Sequence, residues 1–477
     1  MSYGRTPRVR RLKKERSVIM EFGFWSLIPV IVILVLALIT RETFLSLFVG
    51  VAVGFLMIAG GHPVEAFNGF LDSLYVVMTD ENTAWVLMIC GLFGSMVMLI
   101  TESGGVLGFS RFMEKFLKTR KATLIGTWIL GIIVFVDDYL NCLAVGAAVR
   151  KIADKHRISR EMIAFIVNAT GVTVCAIVPF SSWSAYMGGL MKKADMLGGL
   201  SVTGAYIHTI PFVIFGWLAV IMVPLIALGI IPVFGPMKKS EQRALETGEV
   251  QSPEAKAEHG ELPDEELKFK DKKCSAWNFL IPIVLVAIVT VWVDDLLVGI
   301  FAGLVACFVM YLPQRLMNVN KYFSTLLSGI TDMCSMLVII IVSYTLIEVN
   351  SQLGLVDFVV ETSLNTVNPA VLPAVIFVVI GLLSFASGSF WGLAAIAFPI
   401  VGPMAAALGV NPFLCAGAII SAVSFGGQIC MYSDTVILTS ASTQITNAEY
   451  LRTSGPLVAV PFVLAVILYL VVGFAVA

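Results

Sequence analysis

The strongest constraint on this chain is a series of apolar runs long enough to cross a bilayer, joined by further apolar stretches that acids interrupt. Residues 24–39, 84–100, 206–233, 277–293, 297–312 and 457–476 each approach the roughly 20 apolar residues that a spanning helix needs. With 58% hydrophobic and 13% charged residues, a water-soluble fold could not cover its own apolar surface. Within hydrocarbon, every backbone polar group must be satisfied by the chain itself. The expected class is therefore an all-α polytopic membrane protein of the cell membrane, with about 10–12 membrane segments in two inverted repeats.

Polar segments divide the chain. Residues 1–20 carry seven basic side chains and read as a cytoplasmic tail, because the next run is long enough to span and no cleavage site follows. The segment from Lys238 to Lys273 holds eight basic and ten acidic residues with almost no apolar run, which reads as a solvated, flexible linker. The expected organisation is a tail (1–20), a membrane repeat (21–233), a hydrophilic linker (234–275) and a second membrane repeat (276–477).

The halves look related. "MLITESGGVLGFSRF" from Met98 aligns with "YTLIEVNSQLGLVDF" from Tyr344, placing Glu102 on Glu348 and Gly108 on Gly354. Within a few residues the same offset carries "VDDYLN" (136–141) onto "SFASGSFWG" (384–392), and "VPFSSWS" (178–184) onto "SFGGQICMYSDT" (424–435). Paired interrupted segments of this kind mark a secondary transporter.

Charge bias orients the repeats. Arg111, Lys115, Lys118, Arg120 and Lys121 lie before the first interrupted segment, and Arg150, Lys151, Lys155, Arg157 and Arg160 lie after it. The corresponding loops, 349–370 and 397–412, contain no Lys or Arg. By the positive-inside rule the first pair faces the cytoplasm and the second faces away, so the repeats are inverted. The segment between the basic loops then enters and turns back, as a re-entrant hairpin with Asp137 and Asp138 near its tip. Its counterpart enters from the other side, with "SFASGSFWG" at the tip. Three full spans before Arg111 would put that loop opposite the tail, so the relative inversion is firmer than the absolute orientation.

A carboxylate within a membrane helix costs roughly 2.5–3.5 kcal/mol on insertion scales, which makes such residues functional candidates. Asp137, Asp138 and Asp434 stand out, with Asn141, Ser433 and Thr435 beside them as coupling or ion-binding groups. Glu102 and Glu348, near the ends of their spans, are candidates for a supporting role. Broken helices expose carbonyls on one side of the break and N–H dipoles on the other. Ser181, Ser182, Ser387 and Ser389 add hydroxyls at those breaks, and Trp183 and Trp391 could wall a cavity. In membrane helices such hydroxyls often bond back to the chain instead.

The stretches "DDYLNCLAVGAAVRKIADKHRISREMIAFIVNAT", "PFSSWSAYMGG", "SGSFWGLAAIAFPI" and "SDTVILTSAST" resemble the NhaC-type sodium/proton antiporter family, within a wider ion-transporter superfamily. The similarity covers nearly the whole chain outside the tail and linker. It implies a cation-coupled antiporter exchanging Na+ and H+, built as a scaffold plus a moving transport domain. It also implies a homodimer in a bacterial inner membrane. The chain departs from the family's pattern at Asn168, where an acid is usual, and in "GGQICMYSDT", where Gly427 and Gln428 stand for an acid and an amide. Those departures leave open an alternative on the same fold, Na+- or H+-coupled antiport of an amino acid, amine or carboxylate. Asn168, Thr173 and Gln428 would then line its pocket.

Other classes find less support. The four histidines are isolated and the eight cysteines make no CxxC pair, so no metal is expected beyond Na+ and no cofactor. A net charge of −1 gives no reason to expect a nucleic-acid partner. No nucleophile–base pair or nucleotide loop suggests an enzyme. A channel would lack inverted, interrupted repeats and counter-flow. The expected partners are a small ion or organic solute and the lipid bilayer.

Overall fold

The computed structural model describes residues 22–476 except 41–42, 136, 260–273, 294, 356–357, 359–361, 363–367, 389 and 432. The tail lies outside the described residues, as does most of the second half of the linker. The described elements are helical. After a short turn at Gly23–Leu27, the first half contains α1 (Ile28–Thr40), α2 (Thr43–Ile58), α3 (Pro63–Met78), α4 (Glu81–Glu102), α5 (Gly105–Glu114) and α6 (Arg120–Ile133). It continues through α7 (Asp138–Lys155), α8 (Arg160–Ile177), α9 (Ser182–Lys193), α10 (Val202–Thr209) and α11 (Ile214–Leu228). Two connecting helices follow, α12 (Gly235–Thr247) and α13 (Pro253–His259). The second half contains α14 (Trp277–Val293), α15 (Leu296–Tyr311), α16 (Val319–Asp332), α17 (Cys334–Gln352) and α18 (Leu372–Ser387). It ends with α19 (Phe390–Leu408), α20 (Pro412–Ile429), α21 (Asp434–Thr443) and α22 (Asn447–Val476).

Among the described residues six helical segments are long and apolar enough to cross a membrane, and three sharply bent pairs raise the number to nine. Three shorter apolar helices accompany them. Short polar side chains start many of these helices by accepting an orphan backbone N–H. Asp80 accepts from Thr83, Thr119 from Ala122, Ser159 from Met162 and Asn411 from Phe413.

The two halves share an element order. Helices α6, α7, α8 and α9 begin at Arg120, Asp138, Arg160 and Ser182. Helices α18, α19, α20 and α21 begin at Leu372, Phe390, Pro412 and Asp434, in each case 252 residues later. Packing between the halves is reciprocal. Helix α4 packs on α15 and α16, as α17 packs on α2 and α3; α7 meets α21, as α9 meets α19; and α8 meets α22, as α11 meets α20.

The first interrupted segment is a hairpin. Arg120 at the start of α6 donates from Nη1 to the Arg157 carbonyl just past α7 at 2.5 Å, and His156 Nε2 lies 3.1 Å from the Leu117 carbonyl. Both open ends therefore lie together, on the side carrying the ten basic residues, and the other ends of α6 and α7, at Val134 and Asp137, lie at the far end. The arm after the turn is a regular α7 of 18 residues, capped by Asp137. In the second half α18 ends at Gly388, whose φ of 72° is the left-handed conformation that glycine adopts without a Cβ penalty. Helix α19 starts immediately afterwards, and both arms pack on α20.

Close packing fixes the first hairpin. A Cβ on Gly131, in the last turn of α6, would overlap the Thr170 side chain of α8. We expect Gly131→Ala to destabilise the fold by about 1–3 kcal/mol through overpacking, seen as a lower unfolding temperature in detergent.

The linker, expected to be flexible, is ordered over residues 235–259. Glu241 of α12 pairs with Arg120 and accepts from the Ser159 N–H at 2.9 Å. Arg243 forks onto both oxygens of buried Glu161 at 2.8 and 3.1 Å. Arg160 donates to Gln251 and Gln444, and Gln251 donates in turn to the Gln444 carbonyl at 2.8 Å. Composition alone hides this docking, because Glu241 and Arg243 meet their partners, Arg120 and Glu161, outside the segment. Burial lifts the Glu241 carboxyl above its usual range, even against the opposing pull of Arg120.

Candidate functional site

The site forms where the first hairpin's turn meets the break between α8 and α9. Asp137 and Asp138 are 3% and 1% exposed. Asp137 caps α7, accepting from the Leu140 N–H at 3.0 Å and from Ser182 Oγ at 3.2 Å. Asp138 accepts from Trp183 Nε1 at 3.0 Å. Asn141, one turn on, donates from Nδ2 to the Gly131 and Val134 carbonyls at 2.6 and 3.0 Å, satisfying the frayed end of α6. Its buried Oδ1 has no hydrogen-bond partner among the described residues.

Helix α9 restarts through a capping box in which Ser181 and Ser184 bond each other's backbone N–H. Ser181 Oγ also donates to the Cys175 carbonyl at 2.6 Å. The second-half break is built alike. Ser433 caps α21, and both Ser433 and Thr435 donate to the Gly427 carbonyl at 2.7 Å. The freed carbonyls of both interrupted helices are thus taken up by local hydroxyls, so Ser181, Ser433 and Thr435 hold the breaks in shape. Thr173 bonds back to the Ala169 carbonyl of its own helix. Ser182 alone among these hydroxyls reaches a carboxylate.

Asp434 opens α21 and, unlike the pair, is exposed. Tyr139 OH donates to its Oδ2 at 2.9 Å, and Asp434 lies within electrostatic reach of Asp138. The three carboxylates therefore stand at the N-terminal ends of two half-helices, where the helix dipole favours an anion. Their described hydrogen-bond partners are all neutral.

Aromatic side chains close one side. Trp183 stacks on Phe390 with centroids 5.3 Å apart and lies 5.3 Å from Trp391, which Tyr186 meets edge-on at 5.0 Å. The second hairpin thus brings aromatic surface to the first hairpin's acids. Ser387 ends α18, and Ser389 lies outside the described residues. Elsewhere on α8, Asn168 Nδ2 donates to the Gln428 carbonyl at 3.0 Å and to Tyr450 OH at 2.9 Å, while Gln428 Oε1 is buried without a partner among the described residues.

Glu102 and Glu348 do not join this network. Glu102 ends α4 and pairs with Lys321 at 3.5 Å, and Glu348 accepts from Gln352 one turn along α17 at 3.0 Å. Helix α9 instead touches the opposite end of α4, where Asn82 reaches the Gly189 carbonyl and Asp80 pairs with Lys193 at 2.6 Å. There, opposing hydrogen bonds and Lys193 overcome the effect of burial and hold the Asp80 carboxyl below its ordinary range. A cavity of about 170 Å³ opens at that end, lined in part by Glu81, Trp85, Lys192 and Asp295, none of which bonds to the three carboxylates. Tyr139 and Tyr450 were not singled out from sequence. Tyr139 stands inside "DDYLN" and could have been; nothing local marks Tyr450.

Comparison with known proteins decides the family. The Na+/H+ antiporter family matches over residues 174–474, more than half of the chain. The chain belongs to that family. Over 488 residues this antiporter is 25% identical to an uncharacterized protein of Haemophilus influenzae, covering 94% of this chain and 91% of that protein. A 198-residue stretch is 26% identical to the malate-2H(+)/Na(+)-lactate antiporter of Bacillus subtilis, covering 38% and 42% of the respective chains. The YdaH transporter of Alcanivorax borkumensis has the same fold, with a TM-score of 0.59, 16% identity and coverage of 88% and 90%. MtrF of Neisseria gonorrhoeae, from a class of antimetabolite efflux pumps, gives a TM-score of 0.54, 13% identity and coverage of 88% and 86%. The protein is accordingly a multi-pass secondary transporter of the bacterial plasma membrane, a cation-coupled antiporter and not an enzyme. The expectation of Na+ and H+ exchange stands.

Proposed function

We propose that the antiporter exchanges Na+ for H+ by competition for the carboxylates of Asp138 and Asp434, with Asp137 supporting the first. A carboxylate that holds either a proton or a sodium ion, but not both, ties the movement of one to the other. The observation that carries this reading is the set of three carboxylates at half-helix N-termini with only neutral partners. Among the described residues no basic side chain bonds to them. The unpartnered Asn141 Oδ1 is a further oxygen suited to a dehydrated sodium ion. Ser182 and Trp183 aim the inner acids, and Ser181, Ser433 and Thr435 keep the breaks shaped.

The domain plan belongs to the same proposal. Two inverted repeats, 21–233 and 276–477, follow the tail and are joined by the 234–275 segment, and the protein works as a homodimer. The shared element order and reciprocal packing support the repeat.

A second reading keeps the fold and changes the cargo to an organic solute. It is favoured by Asn168 and Gly427 where the family pattern has acids, by Gln428 Oε1, which is buried without a partner among the described residues, and by the relative named for malate and lactate. Ligand-dependent unfolding separates the two, because a ligand that binds only the folded state raises its melting temperature. We expect Na+, compared with choline at equal ionic strength, to raise the melting temperature of the wild type and not of Asp434→Asn. Stabilisation by an organic acid or amine, and none by Na+, would favour the second reading.

A further inference from the structure

We infer that Tyr139 is a positioning residue for exchange: its phenol holds the exposed acid, Asp434, in register with the buried pair Asp137 and Asp138. The inference rests on the reading above, in which Asp434 takes the cation.

The bond joins residues 295 apart in sequence, from the first hairpin to the second-half broken helix. It crosses a change of environment. Asp434 is exposed, Tyr139 is partly exposed, and Asp138, the residue before it, is 1% exposed. Tyr139 therefore stands where the open part of the site meets the dry part. The phenol occupies Oδ2 of Asp434, and no described hydrogen bond occupies Oδ1, which leaves that oxygen to meet an ion. A carboxylate tethered at one oxygen loses less freedom when the other binds, which is how preorganisation raises affinity.

The helices that carry the two residues are held together independently of this bond. Ser442 Oγ donates to the Cys142 carbonyl at 2.7 Å, and Arg150 Nη1 donates to the Ser442 carbonyl at 3.0 Å. Gly146 admits Ser442 and Thr443 at close range. Loss of the phenol should therefore free the Asp434 carboxylate without parting α7 from α21.

The test compares Tyr139→Phe, Ser442→Ala and Asp434→Asn with the wild type in sealed proteoliposomes, with melting temperatures measured in detergent. Tyr139→Phe is expected to raise the Na+ KM about tenfold, the size of one lost charge-assisted hydrogen bond, with the maximal rate within about twofold and the melting temperature unchanged. Ser442→Ala, which touches no carboxylate, should lower the melting temperature and leave the Na+ KM alone. An unchanged KM in Tyr139→Phe would overturn the inference. So would an equal rise in Ser442→Ala, since the effect would then be general loosening. If Asp434→Asn itself keeps the wild-type KM, the underlying assignment of Asp434 fails. If Asp434→Asn weakens Na+ and Tyr139→Phe does not, the role of Tyr139 alone fails.

Discussion

Asp138→Asn is expected to lower exchange at least about 100-fold, which corresponds to roughly 2.7 kcal/mol in the barrier, while the protein still folds. The substitution keeps the shape of the side chain. An amide oxygen can still accept from Trp183 Nε1, so the hydrogen bond observed at 3.0 Å survives. What disappears is the charge, and with it the ability to hold either Na+ or a proton. The buried position sharpens the prediction, because no water replaces the lost carboxylate. Initial rates in proteoliposomes and the melting temperature in detergent check it. Wild-type flux in the folded variant would remove Asp138 from the site.

Asn168→Asp is expected to destabilise the protein by about 2–4 kcal/mol, because it turns a satisfied buried donor into an acceptor facing acceptors. Family resemblance suggests the opposite, since an acid is usual at this position. In this chain, however, the Asn168 amide donates to the Gln428 carbonyl and to Tyr450 OH, and the residue is fully buried. A carboxylate there would face the Gln428 carbonyl with nothing to donate to it. Tyr450 OH already donates to the same carbonyl at 2.9 Å, so its hydrogen is in use. A fall of several degrees in melting temperature is the expected result. An unchanged melting temperature with faster Na+ transport would show that the amide merely replaces an acid of equal standing.

Much of this architecture was legible because membranes impose simple rules. The apolar runs required helices, and acids inside them required a reason. The ten basic residues at the two ends of the first interrupted segment required both ends to lie on one side, where Arg120 and Arg157 indeed meet. The breaks themselves were legible, and at each one a short polar residue, Asp137, Ser181 or Ser433, caps the helix that follows.

The partnerships were harder to see. A serine at a helix break can serve a ligand or its own carbonyl, and only the folded geometry gives Ser182 to Asp137 and Ser181 to Cys175. Glu102 and Glu348 carried the same intramembrane signal as the aspartates, but lie at helix ends beside Lys321 and Gln352. The docked linker was invisible because its ion pairs join residues distant in sequence and its buried apolar residues, Met237, Ala244 and Ala255, form no apolar run. The Tyr139–Asp434 bond joins residues far apart in the chain, and no local pattern announces it.

The central claim is tested most directly by proton movement under a sodium gradient. Proteoliposomes carrying a pH-sensitive dye are loaded with Na+ and diluted into sodium-free buffer, with valinomycin and equal potassium on both sides to hold the membrane potential at zero. As Na+ leaves, protons should enter and the lumen should acidify, and vesicles carrying Asp138→Asn should stay silent. A lumen whose pH does not move under any sodium gradient, with folded protein in the membrane, would contradict the account.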